Sequence, residues 1–222
     1  MTAQEHLRIL SGLYGILAPT DTIQPYRLEM GTKLKDYPSG AKTLYEFWGD
    51  KIARSLMDDL REQGGDDACI VNLCSNEYFK AVDVKSIGND IKVYECVFKD
   101  NNKVVSVYAK RARGLMARHL LERVDALTKG KTRGSLSSAH VETMLKEFNT
   151  EGYSYDLKSS TKSKFVFARF GKFQLPLSEE EDDEGMEERK GGKLGAKGET
   201  ADPVDTLGEN DAQLKKKSKL RK

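Results

Sequence analysis

The sequence predicts a mixed α/β (α+β) single domain over residues 1–175 and a disordered tail over 176–222. Three observations carry that prediction. Short apolar runs at 68–73 (ACIVNL), 93–98 (VYECVF) and 165–170 (FVFARF) have the length and composition of buried strands. Between them, apolar residues recur at helical spacing. Beyond Pro176 the chain turns to an unbroken acidic block, 179–184, then to Gly- and Lys-rich sequence ending in KKKSKLRK, which cannot build a core.

Composition bounds the rest. The chain is 38% hydrophobic and 32% charged over 222 residues, with a mean hydropathy of −0.62, polar for a globular protein. A net charge of +2 says little about partners, because the acidic block masks basic residues elsewhere, so local clusters matter more. Cys69, Cys74 and Cys96 form neither an even disulfide set nor a CxxC pair, which points to a reducing compartment and to buried thiols. No signal-peptide core opens the chain and no run approaches the roughly 20 apolar residues that span a bilayer. These features predict a soluble, intracellular (cytoplasmic) protein with no membrane partner. The terminal run Lys215–Lys217, Lys219, Arg221 and Lys222 suits nuclear entry.

Taken in order, residues 5–17 carry Leu7, Leu10, Leu13, Tyr14 and Leu17 at helical spacing, interrupted by Gly12 and Gly15. They predict a helix, a glycine turn and a short second element. The stretch Leu10-Ser-Gly-Leu-Tyr-Gly15 resembles the hairpin of a helix-hairpin-helix, where glycines let backbone N–H groups approach a DNA phosphate. An ordinary glycine turn burying Leu13 and Tyr14 is the alternative. Pro19 and Pro25 make the next segment a loop, with Asp21 placed to cap a turn. In an extended PYRLEMG, Arg27 and Glu29 share one face and Tyr26 the other. Leu44, Trp48, Ile52, Leu56 and Leu60 recur every four residues and predict one amphipathic helix ending at Gly64-Gly65, with Trp48 in its apolar stripe.

The strand at 68–73 runs into a short helical turn that Ser75 or Asn76 would cap. Asn76, Glu77, Tyr78 and Lys80 crowd that strand end, a common place for ligands. The runs 93–98 and 104–109 flank KDNNK and predict a β-hairpin. A helix then begins near Ala112 and continues to about Thr128. Lys110, Arg111 and Arg113 at its start, where the first-turn N–H groups already attract anions, make a cationic corner suited to phosphate, with Arg118 one turn on. Solvated charges flanking a core helix are the plainer account. A basic linker with Lys129, Lys131 and Arg133, a short helix around Val141–Phe148 and the strand 165–170 complete the domain.

The blocks HLRILSGLYGILAPTDTIQPYRLEMG, LYEFWGD, VNLCSNEYFKAV and YAKRARGLMARHLLE, with the looser EGY and FVFARF, resemble the YaaA family of peroxide stress proteins from about Glu5 to Phe170. The resemblance implies a mixed α/β fold and a cytosolic protein that limits oxidative damage and free intracellular iron. It also implies a helix-hairpin-helix-like DNA-binding element beside a positive cleft, with Ser11, Gly12, Leu13, Tyr14 and Gly15 as that element. Against the family pattern, the substantial N-terminal portion with its strand-like SPAK opening is absent before Gln4, while residues 129–139 and the charged tail are additions that suggest a eukaryotic-type variant.

Two functions follow. One is binding of double-stranded DNA, with Gly12 and Gly15 presenting backbone donors and Lys110, Arg111, Arg113 and Arg118 contacting phosphates. The other is an enzyme or binder acting on a phosphate-bearing or nucleotide-like molecule held by Tyr26, Arg27, Glu29, Asn76, Glu77 and Lys80. No nucleophile-base pair follows from spacing, and no cofactor motif is present. His6, His119 and His140 show no paired metal-ligand spacing.

Overall fold

A computed structural model describes residues 2–35, 40–63, 67–88, 91–128 and 136–173. The expected basic linker at 129–133 and the tail at 176–222 lie outside the described residues. The architecture is mixed α/β, with seven helices and two sheets among the described residues. Helix α1 (Thr2–His6) leads into a two-stranded antiparallel hairpin, β1 (Ile9–Ser11) and β2 (Gly15–Leu17). Helices α2 (Leu44–Trp48) and α3 (Lys51–Glu62) follow. The main sheet has β3 (Cys69–Asn72), β4 (Lys92–Asp100), β5 (Ser154–Tyr155) and β6 (Lys164–Arg169) in the order β3-β4-β6-β5. β3, β4 and β6 run parallel, and β5 pairs antiparallel with β6. Helices α4 (Asn76–Phe79), α5 (Val84–Ile87), α6 (Ser106–Thr128) and α7 (Ser138–Lys146) complete it.

Cores lie on both faces of this sheet, which is why its strands read as continuous apolar runs. On one face Tyr94, Phe98 and Phe167 pack with Ala112 and Met116 of α6 and with Leu145 and Phe148. On the other, Ile70 and Val93 pack with Ile52 and Ala53 of α3 and with Ile87 of α5. Phe165, Phe167 and Ala168 are all buried.

Four expectations are corrected. Residues 104–109 are not a strand: α6 begins at Ser106, and Val104 and Val107 are exposed. The hairpin with 93–98 cannot form because both edges of β4 are taken by the parallel strands β3 and β6. Asn101 and Asn102 do turn the chain, both at positive φ, but the return makes only the isolated bridge between Asp100 and Lys103. Consequently Lys110, Arg111 and Arg113 sit beyond the first turn of α6, away from its unpaired N–H groups, and no cationic helix start exists. The helix expected over 44–60 is two helices broken at Gly49, which takes φ +51°. Finally, the first helix of a helix-hairpin-helix is missing: residues 9–17 pair as β1 and β2, and only the five residues of α1 are helical before them.

Candidate functional site: a braced turn beside the strand end of β3

Ser11 to Gly15 form a tight reversal in which Ser11 pairs with Gly15 across the hairpin. Both glycines are required by close approach. A Cβ on Gly12 would stand 2.5 Å from the Leu28 carbonyl, and one on Gly15, whose φ is +76°, would stand 2.7 Å from the Trp48 ring. The Trp48 Nε1–H donates to the Gly12 carbonyl at 3.0 Å. Buried Ser11 accepts from the Tyr14 N–H at 3.0 Å and shares a short hydrogen bond with the Tyr26 hydroxyl. The Tyr14 and Tyr26 rings meet edge-to-face at 5.5 Å, and the Tyr14 hydroxyl accepts from the Gln24 N–H at 3.0 Å. The turn is therefore fastened on every side, yet its tip residue, Leu13, is 45% exposed. The Leu13 N–H makes no hydrogen bond among the described residues.

The second expected group meets the first through Tyr26. The loop carrying Tyr26, Arg27 and Glu29 is anchored where the Gly31 N–H donates to Glu77 Oε1 at 2.7 Å. The Tyr45 hydroxyl donates to the Glu77 carbonyl at 3.1 Å, and Lys80 Nζ lies 4.8 Å over the Tyr45 ring. The Ser75 side chain accepts from the Tyr78 N–H, so Ser75 is the cap of α4. Burial pushes the Tyr78 phenol up, and Glu77, Tyr26 and Glu29 add to the shift. Arg27 and Asn76 are exposed, and no ion pair joins Arg27 to Glu29 among the described residues. Trp48 and Tyr45 are the site residues that helical spacing alone hides: each lies on a helix that spacing reads as core, and only tertiary placement turns Trp48 toward the glycine turn.

The cations of α6 go elsewhere. The Arg111 guanidinium donates to both carboxylate oxygens of Glu151, at 2.5 Å to 3.1 Å. Arg113 is half-buried, with Nε donating to the Ala109 carbonyl at 3.2 Å. Arg118 pairs with Glu122, and Lys110 is exposed. Glu151 belongs to a buried polar cluster that spacing did not reveal, at the carboxyl ends of β4 and β6. There Arg169 bonds Asp100, the Tyr153 hydroxyl donates to Asp100 Oδ2 at 2.8 Å, and the Arg169 guanidinium lies over the Tyr153 and Phe173 rings at 4.3 Å and 3.4 Å. Every member is satisfied within the cluster, as a structural ion pair requires.

Fold and site together define a mixed α/β protein that presents one rigid, glycine-shaped turn at its surface. The family model described as peroxide stress protein YaaA matches residues 1–159, and the chain belongs to that family. A UPF0246 protein of Idiomarina loihiensis is 50% identical over 172 residues, 76% of this chain and 59% of the relative. UPF0246 proteins of Bordetella avium and Bordetella petrii are each 47% identical over 171 residues, 75% of this chain and 59% of theirs. The chain thus spans about three fifths of the length of the curated relatives it matches.

Proposed function

We propose that the protein serves the peroxide stress response by binding double-stranded DNA through the braced turn, meeting the phosphate backbone without reading sequence. The exposure of Leu13 on a turn immobilised from Ser11, Gly15, Tyr26 and Trp48 carries this reading. A turn held that firmly lets an unbonded backbone N–H face a phosphate with little ordering cost on binding. Arg27, adjacent to Tyr26 and outside any ion pair among the described residues, supplies a charge-assisted contact beside it. Of the α6 cations, Arg111 and Arg118 are already paired, so the reading rests on the turn and Arg27 more than on α6.

Limiting oxidative damage and free intracellular iron are then roles of the DNA-bound protein. The effect on iron is read as indirect, because His6, His119 and His140 show no paired ligand spacing and the cysteines are scattered. A phosphate-bearing small molecule at Tyr26, Glu77 and Lys80 is the second reading, favoured by Glu77 anchoring the loop that carries Tyr26 and by Lys80 lying over Tyr45, whose hydroxyl bonds the Glu77 carbonyl. Glu29 and Glu77 beside Tyr78 put two carboxylates there, which repel a phosphate and set this reading below DNA.

The test is binding of labelled duplex DNA by the full chain across a salt series. Leu13→Glu is expected to abolish binding, and Arg27→Ala to weaken it with a salt slope reduced by about one. Arg111→Ala with Arg113→Ala is expected to change affinity less than Arg27→Ala. Loss of binding only on removing residues beyond 176, or no binding at all, would sink the DNA reading and call for a nucleotide screen.

A further inference from the structure

Strands β4 and β6 lie side by side and end in register, Asp100 opposite Arg169. The residues that follow them, Asn101 and Phe170, therefore leave the carboxyl end of the sheet together. Asn101 holds both neighbours of Phe170. Its N–H donates to the Arg169 carbonyl at 3.0 Å, its Nδ2 donates to the Gly171 carbonyl at 3.0 Å, and its Oδ1 accepts from the Gly171 N–H at 3.0 Å. The Tyr108 hydroxyl donates to the Phe173 carbonyl at 3.2 Å, which ties the start of α6 to the same strip. On this clamped backbone the Phe170 side chain stands 72% exposed.

Two more apolar side chains stand out near it. Val104 is 61% exposed and Val107 54%, so three of the four most exposed large apolar residues among those described share this end of the sheet. Each has a lysine within three residues, namely Lys103, Lys110 and Lys172, all exposed and none paired with a carboxylate among the described residues. The one carboxylate within residues 99–110 and 169–173 is Asp100, which is buried against Arg169. Glu151 is already taken by Arg111. Apolar tips and uncompensated positive charge therefore share one surface.

Exposed apolar side chains set among cations fit an anionic partner that also rewards apolar contact. A phosphate backbone meets only the lysines, and base stacking uses aromatic faces, which valines lack. A protein anchor is seated in a well-packed pocket, whereas these three side chains protrude. A bilayer interface takes protruding apolar side chains at headgroup depth, and anionic lipids attract the lysines. We propose that the protein docks on an anionic lipid surface through Val104, Val107 and Phe170, with Lys103, Lys110 and Lys172 meeting the headgroups. No helix among the described residues is long and apolar enough to cross a membrane. The expectation of no membrane partner rested on the lack of such a run, and a surface contact needs none. This patch shares no residue with the turn at Leu13 and does not rest on the DNA reading.

The experiment mixes the full chain with phosphatidylcholine vesicles holding about one third phosphatidylserine, and reads co-sedimentation and tryptophan emission. The chain is expected to sediment with these vesicles, not with pure phosphatidylcholine, and to be released as salt is raised. Phe170→Ala is expected to weaken binding about tenfold, and Lys172→Gln about fivefold. Phe170→Trp keeps an interface-seeking ring and is expected to bind at least as tightly as wild type. Its introduced indole is expected to shift to the blue on vesicles, beyond any change that Trp48 gives in the wild-type chain. Both positions are exposed, so these variants fold as wild type does, which circular dichroism checks. Absence of binding to the anionic vesicles overturns the proposal, and so does binding unchanged by Phe170→Ala. An unshifted indole in Phe170→Trp overturns it whatever sediments, because the basic run at 215–222 also attracts anionic lipid. A blue shift with a single-stranded oligonucleotide and none with vesicles would assign the patch to nucleic acid instead.

Discussion

The Trp48 indole donates to the carbonyl of Gly12 at 3.0 Å, 36 residues away, and its ring closes over Gly15. That one side chain joins the end of α2 to the hairpin turn. Gly12 is buried, so removing the donor leaves its carbonyl unsatisfied. Trp48→Phe is expected to cost about 1–3 kcal/mol in urea unfolding and to weaken DNA binding more than that loss of stability explains at a temperature where the variant is folded. Equal DNA affinity in the folded variant would separate the turn's rigidity from its function.

The pair Asp100 and Arg169 is nearly sealed from solvent and lies beneath Tyr153 and Phe173. Asp100→Ala leaves the buried Arg169 guanidinium with only the more distant Glu151 carboxylate, 3.9 Å away, and is expected to lower stability by about 3 kcal/mol. Asp100→Ala combined with Arg169→Met is expected to cost less than Asp100→Ala alone, because no unpaired charge remains. Denaturant midpoints of the single and double variants decide it, and a double variant less stable than the single would refute the charge account.

Strands β3 and β6 were legible because burial on both faces writes a continuous apolar run, as in ACIVNL and FVFARF. Val104, Val105 and Val107 misled for a related reason: β-branched residues with period two imitate a strand, and the deciding fact is that β4 has no free edge. The glycine turn was visible at Gly12 and Gly15, but its three-residue flanks are too short for periodicity to tell strand from helix. Tyr26 was singled out by its neighbours, whereas its bond to Ser11 depends on a loop path that Pro19 and Pro25 bend without specifying. Asp100 and Arg169 lie 69 residues apart, and no local pattern marks them as partners.

Asp67 fastens the start of α7 to the entry of β3. Its carboxylate accepts from the Ser138 hydroxyl at 2.8 Å and 2.9 Å, from the Ser138 N–H at 3.1 Å, and from Lys92 Nζ at 3.4 Å. The Ser138 hydroxyl, helped by Lys92, holds this carboxyl below its ordinary value. A depressed folded-state value contributes stability that is full above the unfolded carboxylate's range, near pH 4, and is lost as pH falls through the folded value. Asp67→Asn is therefore expected to lower the melting temperature at pH 7 and to close that gap with wild type below about pH 4. Melting curves from pH 7 to pH 3 check it, and a gap that stays constant with pH would mean the carboxylate's charge plays no part.

Peroxide reacts with thiolates, so the cysteines decide whether the chain itself works by thiol chemistry. Burial, with Asp67 nearby, pushes the Cys69 thiol up to about 12, and burial with Glu95 does the same for Cys96. Cys74 is raised by burial too, and Arg113 only partly offsets it. With values near 12 for Cys69 and Cys96, about one thiol in 10⁵ is ionised at pH 7, the reverse of the depressed value that reactive cysteines need. Native protein treated with hydrogen peroxide or iodoacetamide is expected to be modified slowly at all three positions and rapidly once unfolded in urea, as read by mass spectrometry. Rapid sulfenic acid formation at Cys74 in the native chain would show that a thiol senses peroxide directly. Slow modification throughout would argue against direct thiol sensing and leave the two proposed readings, DNA at the Leu13 turn and a phosphate-bearing small molecule near Tyr26, as those to test.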